Sequence, residues 1–151
     1  MTDMPTPQDR ARAEAEAETP GGWTGGCFCG AVRYAVSPPG RFAQSCHCSR
    51  CRKAFSGAGS AIAFIAPDAL RWTAGEALLT RYGPRPDEGL AFCSRCGSTL
   101  AGYHHGEAVC VTLGTLDGDP GIGIARHIFC ASKASWDEIG GGAPRFAEGP
   151  D

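Results

Sequence analysis

The chain has 151 residues, of which 42% are hydrophobic and 20% charged, and its formal net charge is −2. This length and composition predict one folded domain with a sizeable core. The near balance of charge gives no electrostatic reason to expect nucleic acid or an acidic membrane surface as a partner. Glycine is abundant at 22 residues, and the apolar runs between glycines are short. The pattern favours an all-β protein with many turns over a helical bundle.

The N-terminal region is polar, and alanine alternates with charged residues between positions 11 and 18. This stretch has no apolar stripe that could dock, which predicts a disordered tail over residues 1–20. We expect one domain over residues 21–147 and a loose C-terminus over residues 148–151. Residues 1–20 lack the apolar segment of a secretory signal, and no run approaches the roughly 18 apolar residues of a membrane span. A cytoplasmic protein is therefore expected.

Short apolar runs between turn signals predict the strands. The clearest turn signals are Pro-Pro-Gly at residues 38–40 and the Gly- and Pro-rich loop at residues 83–89. Two runs should form a hairpin around residues 104–106. The strands are expected at residues 31–36, 60–66, 70–73, 77–82, 99–103, 108–116 and 126–130, and one helical turn is expected within residues 132–139.

Seven of the nine cysteines form three tight clusters. Sulfurs around a tetrahedral Zn²⁺ must lie about 3.8 Å apart, which cysteines two or three positions apart reach easily. Disulfides are the alternative, but a cytosolic chain keeps its thiols reduced, and an odd number of cysteines suits a metal protein better. We therefore expect zinc. The clusters are Cys27 with Cys29, then Cys46, Cys48 and Cys51, and finally Cys93 with Cys96.

The seven thiols can be divided in more than one way. The two outer pairs add to four ligands, which would close a structural site. The central three would then form a second site with an open fourth position, as catalytic zinc sites have. A mixed set, such as the central three with Cys93, is the alternative. Gly97 follows the last pair directly and should adopt a positive φ in a tight turn around the metal.

Four blocks of the sequence resemble the glutathione-dependent formaldehyde-activating enzyme family, which also includes a vertebrate centromere protein. All seven clustered cysteines have a counterpart in that family, in order and spacing. The resemblance extends from about residue 23 to residue 146. The blocks are residues 26–34, 46–53, 92–98 and 127–129, with Lys133 and Trp136.

The resemblance implies a mainly β, β-tent-like zinc-binding fold of several short antiparallel strands. It also implies two zinc ions per chain. The structural ion would be held by Cys27, Cys29, Cys93 and Cys96, and the ion of the catalytic site by Cys46, Cys48 and Cys51.

The resemblance further implies a carbon–sulfur lyase that acts on a small thiol–carbonyl adduct of the S-hydroxymethylglutathione type. Glutathione or another small thiol would be the co-substrate. Three thiolates leave a zinc site with a charge of −1, which suits thiolate holding better than strong carbonyl polarisation. The partner is thus a small-molecule thiol adduct, with no nucleic acid and no membrane, whereas the residues that bind the thiol and the oligomeric state stay unassigned.

Three functional classes remain open at this point, and an enzyme is favoured. The second is a non-enzymatic zinc-stabilised binding module, for which a long basic or Pro-rich extension would be the discriminating feature. This chain carries a short Ala-Glu tail instead. The third is a metal-storage or redox role of the central cysteines.

The remaining histidines have ordinary interpretations that come first. His47 lies between two predicted ligands, so its side chain should point away from the metal and make packing or hydrogen-bond contacts. His104 and His105 should be solvated at a hairpin tip. His127 begins an apolar strand, where packing competes with acid–base work.

Other polar residues and the last two cysteines are interpreted in the same way. Asp117 should cap a turn rather than move protons. Lys133 should be solvated, although it could attract a substrate carboxylate. Cys110 and Cys130 lie in apolar strands and should be small buried hydrophobes. The basic residues nearest to the central cysteines are Arg50, Arg52 and Lys53.

Overall fold

The computed structural model describes residues 21–150 and contains two β-sheets. The predicted mainly β fold is confirmed. The predicted disordered tail over residues 1–20 lies outside the described residues. In the described part of the chain, no helix is long and apolar enough to cross a membrane.

Ten strands, one α-helix and three short 3-10 helices make up the described chain. The α-helix, α1, spans Ser49–Phe55, and the 3-10 helices span Glu76–Leu78, Leu113–Thr115 and Cys130–Ser132. The strands are β1 (Trp23–Gly26), β2 (Arg33–Val36), β3 (Phe42–Cys46), β4 (Ser60–Phe64), β5 (Leu70–Ala74), β6 (Leu79–Tyr82), β7 (Gly89–Cys93), β8 (Thr99–His104), β9 (Glu107–Thr112) and β10 (Ile124–Ile128).

The larger sheet has seven strands in the order β10-β3-β4-β9-β8-β7-β6. All its neighbours are antiparallel except β10, which lies parallel to β3 with His127 opposite Ser45. A parallel pair needs a long crossover. Here almost 80 residues separate the two strands, and their pairing brings a C-terminal strand beside the central cysteines.

The smaller sheet has the order β1-β2-β5 and supplies much of the core. All four residues of β2 are buried, because the strand lies between two neighbours. Tyr34 is 0% exposed, its ring meets Trp72 edge-on at 5.8 Å, and its hydroxyl is 2.8 Å from Thr115 Oγ1. Burial of such a side chain stabilises the fold by about 1.5–3 kcal/mol.

A buried ion pair joins the smaller sheet to the segment that follows β9. The guanidinium of Arg33 on β2 donates to both carboxylate oxygens of Asp117. Asp117 also accepts from Thr24 Oγ1 at 2.7 Å, and its amide donates to the Thr24 carbonyl at 2.8 Å. The expectation that Asp117 caps a turn is wrong, because its carboxylate neutralises a buried arginine instead.

Several element predictions are confirmed and others need correction. The hairpin of β8 and β9 is present, but the run predicted as strand 108–116 ends at Thr112 and continues as a 3-10 turn. The run predicted as strand 77–82 likewise begins with a 3-10 turn. The helical turn expected within residues 132–139 lies earlier, at Cys130–Ser132.

β1 and α1, two elements near the cysteines, were not predicted, because local propensity for them is weak. β1 reads Trp-Thr-Gly-Gly, and glycine disfavours strands unless tertiary pairing holds them. α1 has only seven residues, too few for a stable isolated helix. It begins at its N-cap Cys48 and ends at Ser56, which adopts a left-handed conformation with φ 53°.

The C-terminal segment pairs with β10 and the residues that follow it. The amide of His127 donates to the Pro144 carbonyl at 2.8 Å, and the amide of Phe146 donates to the His127 carbonyl at 2.9 Å. Farther on, the amide of Phe129 donates to the Glu148 carbonyl at 2.8 Å. β10 is thus enclosed between β3 and residues 144–148. The loose C-terminus expected over residues 148–151 stays a prediction, although the Glu148 carbonyl accepts a hydrogen bond from Phe129.

Candidate metal centres

The first cluster joins four cysteines that lie far apart in the sequence. Cys27 and Cys29 follow β1, while Cys93 ends β7 and Cys96 lies in the tight turn beyond it. All four sulfurs lie within 4.8 Å of one another. The separations of 3.5 Å for Cys27–Cys29 and 3.9 Å for Cys29–Cys93 are close to the value of about 3.8 Å that a tetrahedral zinc requires.

Backbone and hydroxyl donors surround these four sulfurs. The amide of Val32 donates to Cys27 Sγ at 3.3 Å. Ser98 Oγ accepts the Phe28 amide at 2.9 Å and lies 3.3 Å from Cys96 Sγ, so its hydroxyl can donate to that sulfur. Burial opposes ionisation of Cys96, but the hydrogen bonds with Ser98 lower its pKa to about 6. Cys96 therefore favours the thiolate form that metals bind.

Gly97 provides the turn that the last pair needs. Its φ is +80°, as predicted, and its amide donates to the Cys93 carbonyl at 2.8 Å. A residue with a side chain would be strained in this conformation. The turn keeps Cys93 and Cys96 close enough for one metal ion.

The second cluster lies where β3 ends and α1 begins. Cys46 is the last residue of β3, Cys48 is the N-cap of α1, and Cys51 is in the first turn of that helix. Their three sulfurs lie within 4.8 Å of one another. The amide of Cys51 donates to Cys48 Sγ at 3.4 Å, so the cap of the helix also fixes the position of a candidate ligand.

The thiols of Cys46 and Cys51 in this cluster do not ionise independently. A hydrogen bond with Cys51, together with burial, raises the pKa of Cys46. The same hydrogen bond lowers the pKa of Cys51 to about 5. The shared hydrogen bond thus favours a thiolate within this pair, which suits a cluster that binds a soft cation.

Both clusters fit zinc on the chemistry of their donors. All their candidate ligand atoms are sulfurs. Zinc and other thiophilic metals bind sulfur, whereas calcium and magnesium prefer oxygen ligands. Within residues 21–150, no other group of three His, Cys, Asp or Glu side chains could hold a metal ion. In the structure, Cys93 lies in the four-cysteine cluster, and the second cluster contains only the three central cysteines among the described residues. The alternative set, in which Cys93 joins the central three, is therefore not formed.

His47 and His127 lie together beside the second cluster. His47 Nε2 is 3.0 Å from His127 Nδ1, and neither residue belongs to a candidate ligand group. Burial lowers the pKa of both histidines. Positive charge on the His127 ring lowers the pKa of His47 further, and the charge of Arg145 lowers the pKa of His127. Sequence reasoning missed this pair, because its only signal is the parallel register of β10 and β3.

The remaining candidates lie elsewhere or have other partners. His104 Nδ1 is 3.1 Å from a Glu88 carboxylate oxygen, and both histidines at the hairpin tip are exposed. Lys133 Nζ donates to the Asp137 carbonyl at 2.8 Å, so its ammonium already has a partner. Cys110 is buried, which raises the pKa of its thiol to about 11. Cys130 is half-buried in a 3-10 turn instead of a strand.

Arg52 approaches the segment that follows β10. Its Nη2 donates to the Ser132 carbonyl at 3.3 Å, while its buried Nε has no hydrogen-bond partner within the described residues. Arg50 contributes to the lowered pKa of Cys51, after the hydrogen bonds with Cys46, Ser60 and Cys48. The second cluster therefore has positive charge nearby.

Comparison with known proteins identifies relatives of this chain. The sequence model of the family described as glutathione-dependent formaldehyde-activating enzyme matches residues 22–132. A Halomonas elongata protein named "Putative glutathione-dependent formaldehyde-activating enzyme" is 34% identical over 125 residues, which cover 76% of this chain and 79% of that protein.

A solved structure is similar as well. The crystal structure of a Rhodobacter sphaeroides protein superposes with a TM-score of 0.50 at 32% identity, over 64% of this chain and 89% of that one. The match of the family model covers well over half of the chain. The protein therefore belongs to the glutathione-dependent formaldehyde-activating enzyme family.

Proposed function

We propose that the protein binds two zinc ions and catalyses carbon–sulfur bond chemistry on a small thiol–carbonyl adduct of the S-hydroxymethylglutathione type. The observation that carries this proposal is the separation of seven thiols into one cluster of four and one of three. Four thiolates complete a tetrahedron, whereas three leave a position for a substrate sulfur.

Each cluster would have a distinct role. Cys27, Cys29, Cys93 and Cys96 would hold a structural ion that connects β1 to β7, which makes metal binding part of the folding free energy. Cys46, Cys48 and Cys51 would hold the second ion at the catalytic site. When bound there, zinc would supply a positive centre that favours the thiolate form of a substrate.

The reaction requires little beyond placement of the two partners. The substrate thiolate adds to the carbonyl carbon of formaldehyde, a carbon–sulfur bond forms, and the carbonyl oxygen takes up a proton. The reverse reaction breaks that bond and releases the thiolate. Proximity of the reacting atoms is a large part of such a rate enhancement. Arg50, whose charge acts on Cys51, would help to attract an anionic thiol such as glutathione.

The chain offers no support for a nucleic-acid or membrane partner. Its net charge is −2, and the described part contains no membrane-spanning helix. A cytoplasmic location, where thiols stay reduced, belongs to this proposal. The oligomeric state is not part of it.

Cobalt substitution tests the proposal, because thiolate-to-metal absorption depends on the number of bound sulfurs. A titration with glutathione should change the absorption of one of two bound cobalt ions in a saturable way. Cys46→Ser should abolish this change. Cys110→Ser is the matched control, since Cys110 is also a buried cysteine but lies outside both clusters, and it should behave as the unaltered protein does.

A formaldehyde-consumption assay with glutathione, run on the same proteins, then tests the reaction itself. Thiol binding without formaldehyde consumption would leave a thiol-binding or metal-storage role. Absence of a spectral change with glutathione, cysteine and other biological thiols would refute the thiol site and leave a zinc-stabilised binding module.

A further inference from the structure

His47 and His127 form a hydrogen-bonded pair that the proposed reaction does not use. His47 is 5% exposed and His127 is 8% exposed, and their ring centres are 5.2 Å apart. The 3.0 Å contact joins Nε2 of His47 to Nδ1 of His127, so one nitrogen donates and the other accepts. A hydrogen bond needs the donor N–H to point at the lone pair of the acceptor nitrogen. The bond therefore restricts the orientation of both rings.

The backbone holds each partner from a different side. The amide of His47 donates to the Ile128 carbonyl at 3.0 Å, which ties the loop after β3 to the end of β10. His127 is held by residues 144 and 146 on the other side of β10. Phe129, directly beyond, has a φ of +54°, which is unusual for a bulky residue. The backbone is therefore well held on both sides of His127, and its unusual conformation lies two residues farther on, at Phe129.

Packing alone does not account for the pair. His47 Nδ1 is buried and makes no hydrogen bond of ordinary geometry within residues 21–150, although the backbone of Ala58 lies close enough to raise the pKa of the ring. Two apolar side chains of similar shape would avoid the cost of burying such a weakly paired polar atom. The imidazole pair provides a directional hydrogen bond between β10 and the loop that follows β3, which an apolar pair would lack.

The position of His47 in the sequence indicates which part of the structure this hydrogen bond stabilises. Cys46 and Cys48, two of the three sulfur-bearing residues of the second cluster, are its immediate neighbours. A fixed ring at residue 47 restricts the backbone that carries both sulfurs. Groups that orient metal ligands typically contribute about 10–100-fold to metal affinity.

We propose that His47 and His127 are positioning residues for the three-cysteine cluster, and that their hydrogen bond holds this cluster in the arrangement that retains a metal ion. The inference rests on the proposed function in one respect, because it assumes that the three cysteines bind metal. It predicts that loss of the bond weakens the three-cysteine site and leaves the four-cysteine site unchanged.

Two substitutions of one residue provide the test. His127→Phe keeps the volume and removes the bond, whereas His127→Asn places an amide near the position of Nδ1 and can preserve it. His104→Phe is the matched control, since His104 is 54% exposed, lies at the hairpin tip and belongs to neither cluster. The measurement is the release of cobalt to a competing chelator, followed through the absorption of each site, together with the melting temperature.

We expect His127→Phe to lose metal from the three-cysteine site about 10–100-fold more readily. His127→Asn should recover most of this loss, and His104→Phe should match the unaltered protein. Equal weakening of both sites, or a His127→Phe protein that does not fold, would overturn the inference, because the pair would then serve the fold in general. Retention of both ions by His127→Phe would overturn it as well.

The unaltered protein separates the two proposals. If it binds one metal ion only, the proposed function fails before the histidine pair is tested. If it binds two ions and responds to glutathione but His127→Phe behaves identically, the inference fails and the proposed function stands.

Discussion

Replacement of Asp117 by alanine should destabilise the protein strongly. Asp117 is the charge partner of Arg33, whose side chain is only 5% exposed. The substitution leaves a guanidinium without its carboxylate in a site that water hardly reaches, so the desolvation cost of the charge is no longer offset. The backbone bond from the Asp117 amide to the Thr24 carbonyl would remain, so the expected effect belongs to the side chain.

The magnitude follows from the bonds that are lost. Asp117 accepts two hydrogen bonds from Arg33 and one at 2.7 Å from Thr24 Oγ1. Bonds to charged groups contribute about 1.5–3 kcal/mol each, and removal of one partner of a buried ion pair typically costs about 3–5 kcal/mol. Asp117 is 16% exposed, so some water can replace it. We expect a loss of about 3–4 kcal/mol, a large fraction of the stability of a typical domain.

Urea unfolding at a fixed, saturating zinc concentration measures this loss. Asp119→Ala is the matched control, because Asp119 is exposed and, among the described residues, its carboxylate accepts one hydrogen bond, from the Gly121 amide. The double variant Arg33→Leu, Asp117→Leu removes both charges and should recover most of the stability. A loss below about 1 kcal/mol for Asp117→Ala, similar to that of Asp119→Ala, would refute the reasoning.

Three further predictions concern the clusters and their surroundings. Cys93→Ser should lower the melting temperature sharply, because Cys93 is fully buried and ties two distant segments, whereas Cys48→Ser should cost less; equal losses would make both sites structural. Gly75→Ala should destabilise the protein far more than Gly114→Ala, because Gly75 has a φ of +69° and a Cβ there would lie 2.1 Å from a backbone oxygen, whereas a Cβ at Gly114 would meet open space. Similar urea midpoints of the two variants would contradict this. Burial raises the pKa of Cys110 to about 11, so iodoacetamide at pH 8 should label it about 100-fold more slowly than an ordinary thiol, as mass spectrometry can check; fast labelling would show that Cys110 is accessible.

The candidate ligands could be predicted because their spacing is local. Cys46, Cys48 and Cys51 lie within six residues, so a turn of any kind brings their sulfurs close. The two outer pairs could be assigned to one site because a structural zinc ion takes four ligands. These pairs are Cys27 with Cys29 and Cys93 with Cys96. Their assembly into one cluster still depended on β1 and β7 approaching each other, which the structure shows.

The predicted strands could be found where apolar residues concentrate, as in β4 and β8. They were missed where glycine or polar residues dominate and pairing with neighbours decides the conformation, as in β1. α1 escaped prediction because two turns of helix give too weak a periodicity. Its dependence on Cys48 as N-cap shows that the cluster and the helix stabilise each other.

The sequence by itself determined the mainly β fold, the number of thiols and the spacing that suits zinc, since these depend on composition and on neighbours along the chain. Only the tertiary structure decided that Asp117 neutralises Arg33 and that His127 meets His47. Both contacts join residues about 80 positions apart, and they arise from the packing of strands whose pairing no local pattern encodes. Long-range partners of buried polar groups are fixed by the whole fold, because the whole fold excludes the water that would otherwise satisfy them.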